Sequence, residues 1–338
     1  MKGSRMALRS RIKTAGLSLL SETGVVSLCE WLASHALLAV TYHRVVPRDA
    51  SGVRPRNCVF TDEFAEQMRF VAARYHVPDA VELRAILEGQ TTAPRWSIAI
   101  TFDDGYENNF QYALPILRRH GLHAIVFLTT DLIGATELLW FDRLDALLQM
   151  RQAADLLDVL RSSDAPLRSV VPNQIRAYLK RAPAEEQDRI LSILEATFRP
   201  SQPDRTSTAL MSWDQVRGMI AAGVTIGSHT ARHQILSCVS PARAASEVRA
   251  SREHIERETG QPCWCFAYPN GTRDDFSSVH EQELRHAGYT CAFTQISGVI
   301  RARTPRFALP RIPVPDSGDL RVFRFHVSGM RHPAALRA

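Results

Sequence analysis

Two carboxylates stand side by side in Ser97-Ile98-Ala99-Ile100-Thr101-Phe102-Asp103-Asp104-Gly105-Tyr106. The apolar run before them reads as a buried strand that Gly105 ends in a turn. Adjacent carboxylates at the mouth of such a strand repel each other and are costly to desolvate. A cation beside one of them removes that cost and leaves the other to act as a base. A second motif, Ser228-His229-Thr230-Ala231-Arg232-His233, offers further ligands. Imidazoles four positions apart fall on one side of a helical turn, so His229 and His233 can reach one ion. That spacing also arises by chance, and a solvated or core-packed pair is its ordinary reading. One carboxylate and two imidazoles leave an open position for water, and the neighbouring carboxylate then points to metal-assisted hydrolysis. Zinc is the preferred divalent ion, and cobalt, nickel, iron or manganese accept the same mixed ligands.

These residues need elements to position them. Residues 36–42 read as a buried strand ending at His43, 97–102 as the strand before the Asp pair, and 124–128 as a third. A helix near 109–120, stopped at Gly121, lies between the last two, which is the rhythm of a parallel βαβ unit. Helices are also predicted over residues 5–34, from Thr61 to about Tyr75 and over 80–89, with a polar loop at 47–57. From 137 to 210 the character changes. Segments 138–160 and 175–198 have amphipathic helical patterns around a turn-rich 161–173, so this stretch reads as a helical insertion. The βα rhythm resumes with a helix capped by Ser212 and a strand at 224–227 that leads into the His motif. A helix at 241–259 stopped at Gly260, strands at 264–267 and 289–293 around a helix at 276–287, and a core segment at 309–314 follow. In a parallel barrel, catalytic groups gather at the carboxyl ends of strands. Both motifs lie at such ends.

Composition narrows the partners. The chain has 338 residues, 45% hydrophobic and 22% charged, which fits a globular protein and excludes disorder throughout. A formal charge of +6 is ordinary for a solvated Arg-rich surface, with attraction to anionic glycans or phospholipid head groups as the functional alternatives. No run of basic residues interleaved with aromatics supports a nucleic-acid partner. The six cysteines fit no paired zinc-knuckle spacing and read as free thiols of a reducing compartment. Lys2, Arg5, Arg9, Arg11 and Lys13 precede a short apolar stretch that is interrupted at Ser21-Glu22-Thr23. It lacks the length of a membrane span and a clear cleavage site follows none of it. The expected location is the cytoplasm, with a basic amphipathic helix over 5–33 leaving peripheral membrane contact open.

The first two motifs, together with Phe266-Ala267-Tyr268-Pro269-Asn270-Gly271, resemble the three motifs of the polysaccharide deacetylases (carbohydrate esterase family 4) in order and spacing. The resemblance covers about 36–315. It implies an α/β fold, an irregular (β/α)7-type barrel carrying the helical insertion; the sequence pattern puts a helical segment 1–35 before it and a tail 316–338 after it. The implied reaction removes N-acetyl groups from an amino-sugar glycan. By the same resemblance Asp103 is the general base, and Asp104, His229 and His233 are the metal ligands. Backbone amides near Tyr106 and Asn270 stabilise the oxyanion, and Tyr106 and Tyr268 offer rings on which a sugar stacks. Trp264 reads as barrel-wall packing. The chain departs from the family pattern twice. Ala267 stands where an Arg usually orients the base, and Arg311, in Leu309-Pro310-Arg311-Ile312-Pro313, either takes that part or is a surface or structural Arg. The late strand that ends in the acid histidine has only a weak match at His326. Leu38-Ala39-Val40-Thr41-Tyr42-His43 matches it at the start of the domain instead, as in the circularly permuted poly-N-acetylglucosamine deacetylases. His43 then protonates the leaving amine, unless it is a core or supporting histidine. The missing Arg favours a rival, a catalytically silent glycan-binding barrel. A third reading keeps the chemistry and changes the substrate to a lipid-linked sugar or a deformylation substrate.

Overall fold

Strands buried on both faces read as unbroken apolar runs, and that pattern dominates here. The computed structural model describes residues 34–49, 54–162, 174–200, 205–316 and 318–328. Its strands are β1 (Leu37–Tyr42), β2 (Arg44–Val46), β3 (Cys58–Phe60), β4 (Ser97–Phe102), β5 (Ile125–Leu128), β6 (Thr225–Ser228), β7 (Cys265–Ala267), β8 (Cys291–Ser297) and β9 (Leu309–Pro313). β1, β4, β5 and β7 are buried at every position. Seven strands close a parallel barrel in the order β1-β4-β5-β6-β7-β8-β9, and β9 returns to β1 through Val40↔Ile312. The fold is therefore the α/β seven-stranded barrel expected from the motifs.

Alternate residues of each strand serve two cores. Ala39, Ala99, Phe127, Cys265, Phe293 and Leu309 fill the barrel interior. Val40, Ile100, Phe102, Val126 and Leu128 face outward onto the helices. The interior leaves no room at Gly227, where a Cβ would lie 2.5 Å from the Phe127 ring and 2.8 Å from the Cys265 sulfur. The outer layer comprises α1 (Thr61–Arg74), α2 (Ala80–Leu87) and α3 (Leu114–Arg119) before the insertion. The insertion, between β5 and β6, holds α4 (Trp140–Met150), α5 (Ala153–Ser162), α6 (Ile175–Arg181), α7 (Ala184–Phe198) and α8 (Arg205–Thr208). The outer layer then resumes with α9 (Trp213–Ala221), α10 (Pro241–Thr259), α11 (Ser278–His286) and α12 (Leu320–Val327).

The insertion has its own core, built from Leu144, Leu147, Leu157, Leu179, Leu191 and Leu194 among others. Arg143 of α4 ties it further by pairing with Asp188 and Glu195 of α7 at 2.8 Å each. The two long helices expected there are each split. Pro183 has no amide proton to continue α6, so a new helix starts at Ala184. Arg151 leaves helical geometry, and the Gln152 amide donates to the Asp155 side chain to start α5. The helix expected at 109–120 opens as a π-turn, Asn109–Ala113, because Pro115 cannot donate the bond that would tighten it. The β2–β3 pair and α12 were not expected. Each β2–β3 strand is only three residues long, and α12 depends on Asp319, whose side chain accepts from the Arg321 amide. The 1–33 segment and most of 161–173 lie outside the described residues. Cys58, Cys238, Cys263, Cys265 and Cys291 are free. No helix among the described residues is long and apolar enough to cross a membrane.

Candidate active site

The first motif turns sharply as it leaves β4. Asp104 adopts φ 77 and Gly105 φ 86. A Cβ at Gly105 would meet Leu128 and Ile133 at 2.9 Å, so glycine is needed there for space as well as for conformation. The second motif is not the helical turn expected from its spacing. It leaves β6 as a loop in which Thr230 (φ 68) and His233 (φ 57) are left-handed, and this bend brings the imidazoles to 4.9 Å between centroids. The two Nε2 atoms lie 3.6 Å (His229) and 3.4 Å (His233) from Oδ1 of Asp104. Left-handed non-glycine residues cost roughly 1–3 kcal/mol each and persist where their surroundings over-determine them. Of the seven among the described residues, Asn57, Asp104, His233 and Asn270 line one cavity, and Thr230 lies between the two histidines.

One ligand atom from each of Asp104, His229 and His233 lies within 4.8 Å of the others. His229 Nδ1 donates to the Ala267 carbonyl at 2.7 Å, which fixes the tautomer and leaves the Nε2 lone pair facing Asp104. Burial lowers His229 to about 4, so the ring is neutral at physiological pH. Burial pushes Asp104 up, but His233, His43 and His229 outweigh it and hold the carboxyl well below its usual range. Asp104 Oδ1 is nevertheless buried with no hydrogen bond, and so is His233 Nδ1. A buried anionic oxygen facing two imidazole nitrogens is costly by itself and is the donor set of a divalent cation. The residues present fit such an ion.

Asp103 has the opposite surroundings. Arg311 Nη1 donates to its Oδ1 at 2.7 Å, Arg311 Nη2 to its Oδ2 at 2.8 Å, and Gln295 Nε2 to Oδ2 at 3.0 Å. Arg311 is fully buried inside the barrel, where Nε donates to Thr294 O at 2.9 Å and Nη1 to Thr101 Oγ1 at 3.2 Å. The surface alternative for Arg311 is thereby corrected: the inward position of β9 that follows Leu309 carries it into the interior. Burial raises Asp103, but Arg311, His229 and His43 overcome it and leave the carboxyl below its ordinary value. Two adjacent carboxylates are thus both ionised and differently committed.

A sequence profile of the polysaccharide deacetylases matches residues 90–292, from the loop before β4 to the start of β8. The chain belongs to the polysaccharide deacetylase family. Among solved structures it is similar to the deacetylase PplD of Streptococcus pyogenes, solved with acetate, at TM-score 0.57 and 16% identity over 83% of this chain and 93% of that one. IcaB of Ammonifex degensii gives TM-score 0.57 and 18% identity over 86% and 97%. A de-N-acetylase of Aggregatibacter actinomycetemcomitans gives 0.54 and 16% over 86% and 99%. At these identities the likeness is one of fold. YxkH of Bacillus subtilis (strain 168), whose name proposes a polysaccharide deacetylase, is 46% identical over 37 residues, 11% of this chain and 13% of that protein.

The deacetylase-family cavity measures about 370 Å³. His43, Asp103, Asp104, His229, His233 and Asn270 all line it, as does Gln295. His43 follows β1, where its carbonyl accepts from Asn109 Nδ2 at 2.8 Å. Asn270 donates to Asp275, which also accepts from the Thr272 amide at 2.7 Å and so pins the third motif. Tyr106 and Tyr268 are corrections, because neither ring faces the cavity. Tyr106 is fully buried, donating to Asp142 Oδ2 at 2.8 Å and accepting from Arg44 at 2.5 Å. Tyr268 donates to Phe307 O at 3.0 Å and stacks on Phe276 at 4.2 Å. His326 lies on α12, with Nδ1 donating to Val322 O at 2.7 Å, and is not among the cavity residues. The aromatic wall comes instead from Trp140 and Phe141 of the insertion.

Sequence reading missed Gln295, Arg44, Asp142 and this aromatic wall. Gln295 carried a signal, since it continues the inward alternation of Cys291 and Phe293 with a polar group at the strand end. Asp142 carried none, being one acid on an ordinary amphipathic helix. It forms a buried ion pair with Arg44, whose guanidinium also lies 4.4 Å over the Tyr106 ring. Burial lifts Asp142 to about 6 despite Arg44 and Tyr106. The pair joins α4 to β2, one residue from His43. Asp142→Asn is expected to cost about 3–5 kcal/mol of stability, because it leaves the buried Arg44 guanidinium without its counter-charge. A lowered urea midpoint would register it, and an unchanged one would show that the pair does not anchor the insertion.

Proposed function

We propose that the protein hydrolyses the acetamide of an N-acetylated amino sugar in a glycan, giving acetate and a free amine. The observation that carries this reading is the division of labour between Asp103 and Asp104. One carboxylate is clamped by Arg311 and Gln295, and the other faces two imidazole nitrogens. Asp104, His229 and His233 would hold a divalent ion, zinc by preference. When bound, the ion supplies polarisation of the acetamide carbonyl and acidification of water. Asp103 accepts the proton of the attacking water. Arg311 keeps that carboxylate ionised and fixes its orientation, the part left open by Ala267. His43, on the same cavity, delivers a proton to the departing nitrogen so that the C–N bond breaks to a neutral amine. A backbone amide beside Asn270 meets the developing oxyanion. Trp140 and Phe141 offer apolar faces to the sugar.

The silent-barrel alternative drew on the lack of a guanidinium near Ala267, and Arg311 supplies one to Asp103 at 2.7 Å. The reading is tested by acetate and free-amine release from N-acetylglucosamine oligomers. Release is expected to fall to background on chelation and to return with added zinc or cobalt. No release with any of these ions, across a panel of acetylated oligosaccharides, would overturn it.

A further inference from the structure

We infer that the saccharide deacetylated in this cavity carries an anionic group, a carboxylate or a phosphoryl, on the reacting sugar or the one next to it, and that Arg56, Arg176 and Lys180 bind it. This deepens the deacetylase reading and rests on it. The three cations line the same cavity as Asp103 and Asp104. They come from two separate places, Arg56 from the segment before β3 and the other two from α6. Residues four apart share a helix face, so Arg176 and Lys180 point together. Ile175 and Leu179, offset by one position, turn into the insertion core. The end of α6 is held against the barrel by Arg181, 3.6 Å from Asp275, the residue that pins the third motif.

The charges there do not cancel. Among the described residues, Asp145 is the cavity's one acid on the insertion side; it pairs with Arg176 and lies 3.9 Å from Arg56. One carboxylate therefore answers two guanidiniums and an ammonium. Lys180 is half-buried, and its ammonium makes no ion pair or hydrogen bond among the described residues. Burial lowers its pKa, Asp275 opposes this, and Arg181, Arg56 and Arg176 add to the lowering. The remaining cavity cation, Arg44, is already committed to Asp142. The two acids at the reacting end would not repel an anionic substrate, because Arg311 answers Asp103 and the metal site answers Asp104. A neutral amino sugar offers this cationic wall only hydroxyl, ether and amide oxygens, whereas a planar carboxylate or a phosphoryl group answers its charge and matches the guanidinium fork.

The test compares kcat/KM of the zinc-loaded full chain on three substrates: N,N′,N″-triacetylchitotriose, an N-acetylglucosaminyl-glucuronate oligosaccharide, and N-acetylglucosamine 1-phosphate. At least one anionic substrate is expected to lead the neutral one by about tenfold or more, with the lead shrinking at high salt. The leading substrate identifies the anion as carboxylate or phosphoryl. Lys180→Gln removes an unpaired, half-exposed group and should fold. It is expected to lower kcat/KM for the anionic substrate several-fold more than for the neutral one, while Lys180→Arg restores the preference. Equal use of all three, preference for the neutral trimer, or an equal loss on both classes in Lys180→Gln would overturn the inference and leave the deacetylase reading standing. No acetate from any of them would remove both.

Discussion

Asp103→Asn is expected to lower kcat by about 10²–10⁴-fold, the span of a lost general base, while the bound ion stays in place. Asparagine keeps the shape of the side chain and can still accept from Gln295, but it cannot take a proton from water. The proposed ligand cluster is Asp104, His229 and His233, so on that reading metal stoichiometry should match that of the wild type. The same substitution leaves Arg311 buried without its carboxylate, and breaking one side of a buried pair costs on the order of 3–5 kcal/mol. Turnover and metal content must therefore be measured on one sample, below its unfolding midpoint. Full turnover by a metal-loaded Asn variant would exclude Asp103 as the base. Loss of metal along with turnover would mean that Asp103 is a ligand and that the two carboxylates do not divide the work as described.

The parts of this molecule legible in its sequence are those governed by local rules. Six mostly apolar runs gave barrel strands and 309–314 was read as a core segment, because strands buried on both faces are mainly apolar; β9 became the seventh although it carries the buried Arg311. Gly121 and Gly260 stop helices near where a left-handed cap is needed, and both are left-handed here. The site was legible where its residues are adjacent, as at Asp103-Asp104, and where a strand precedes them, as at His43. What was left open or escaped was set by distance in the fold. Arg311 could be named as a candidate but not decided, because it lies 208 positions from Asp103 and nothing local says that its guanidinium crosses the barrel interior. The 229–233 spacing suggested a helical turn, yet Thr230 and His233 pay for left-handed backbone to bring the rings together, a strain no propensity rule anticipates. The two tyrosines failed for the converse reason: proximity to a motif in sequence says nothing about which way a ring points.

Arg311→Met should expose how much of the site depends on that long-range contact. Methionine roughly fills the space but leaves Asp103 buried with Gln295 as its remaining donor. The expected loss is about 3–5 kcal/mol of stability at neutral pH, the usual result of orphaning a buried charge. The sign of its pH dependence follows from Asp103. In the wild type the folded carboxyl lies below its ordinary value, so its contribution to stability is present above the unfolded pKa and is lost as pH falls through the folded one. Without Arg311 the burial that already pushes Asp103 upward goes unopposed by its strongest neighbour, and the folded pKa rises. The variant then takes up a proton that the wild type refuses, so the stability gap between them narrows as pH is lowered from neutral toward the carboxylate range. Activity moves with the same group, because a protonated Asp103 cannot accept from water: the acid limb of kcat/KM shifts to higher pH in the variant. Arg311→Lys keeps a charge without the two-pronged contact and should fall between. Urea midpoints and pH–rate profiles of the three proteins decide it. A gap constant across pH, with an unmoved acid limb, would mean that Arg311 only fills the barrel and that something else holds Asp103 ionised.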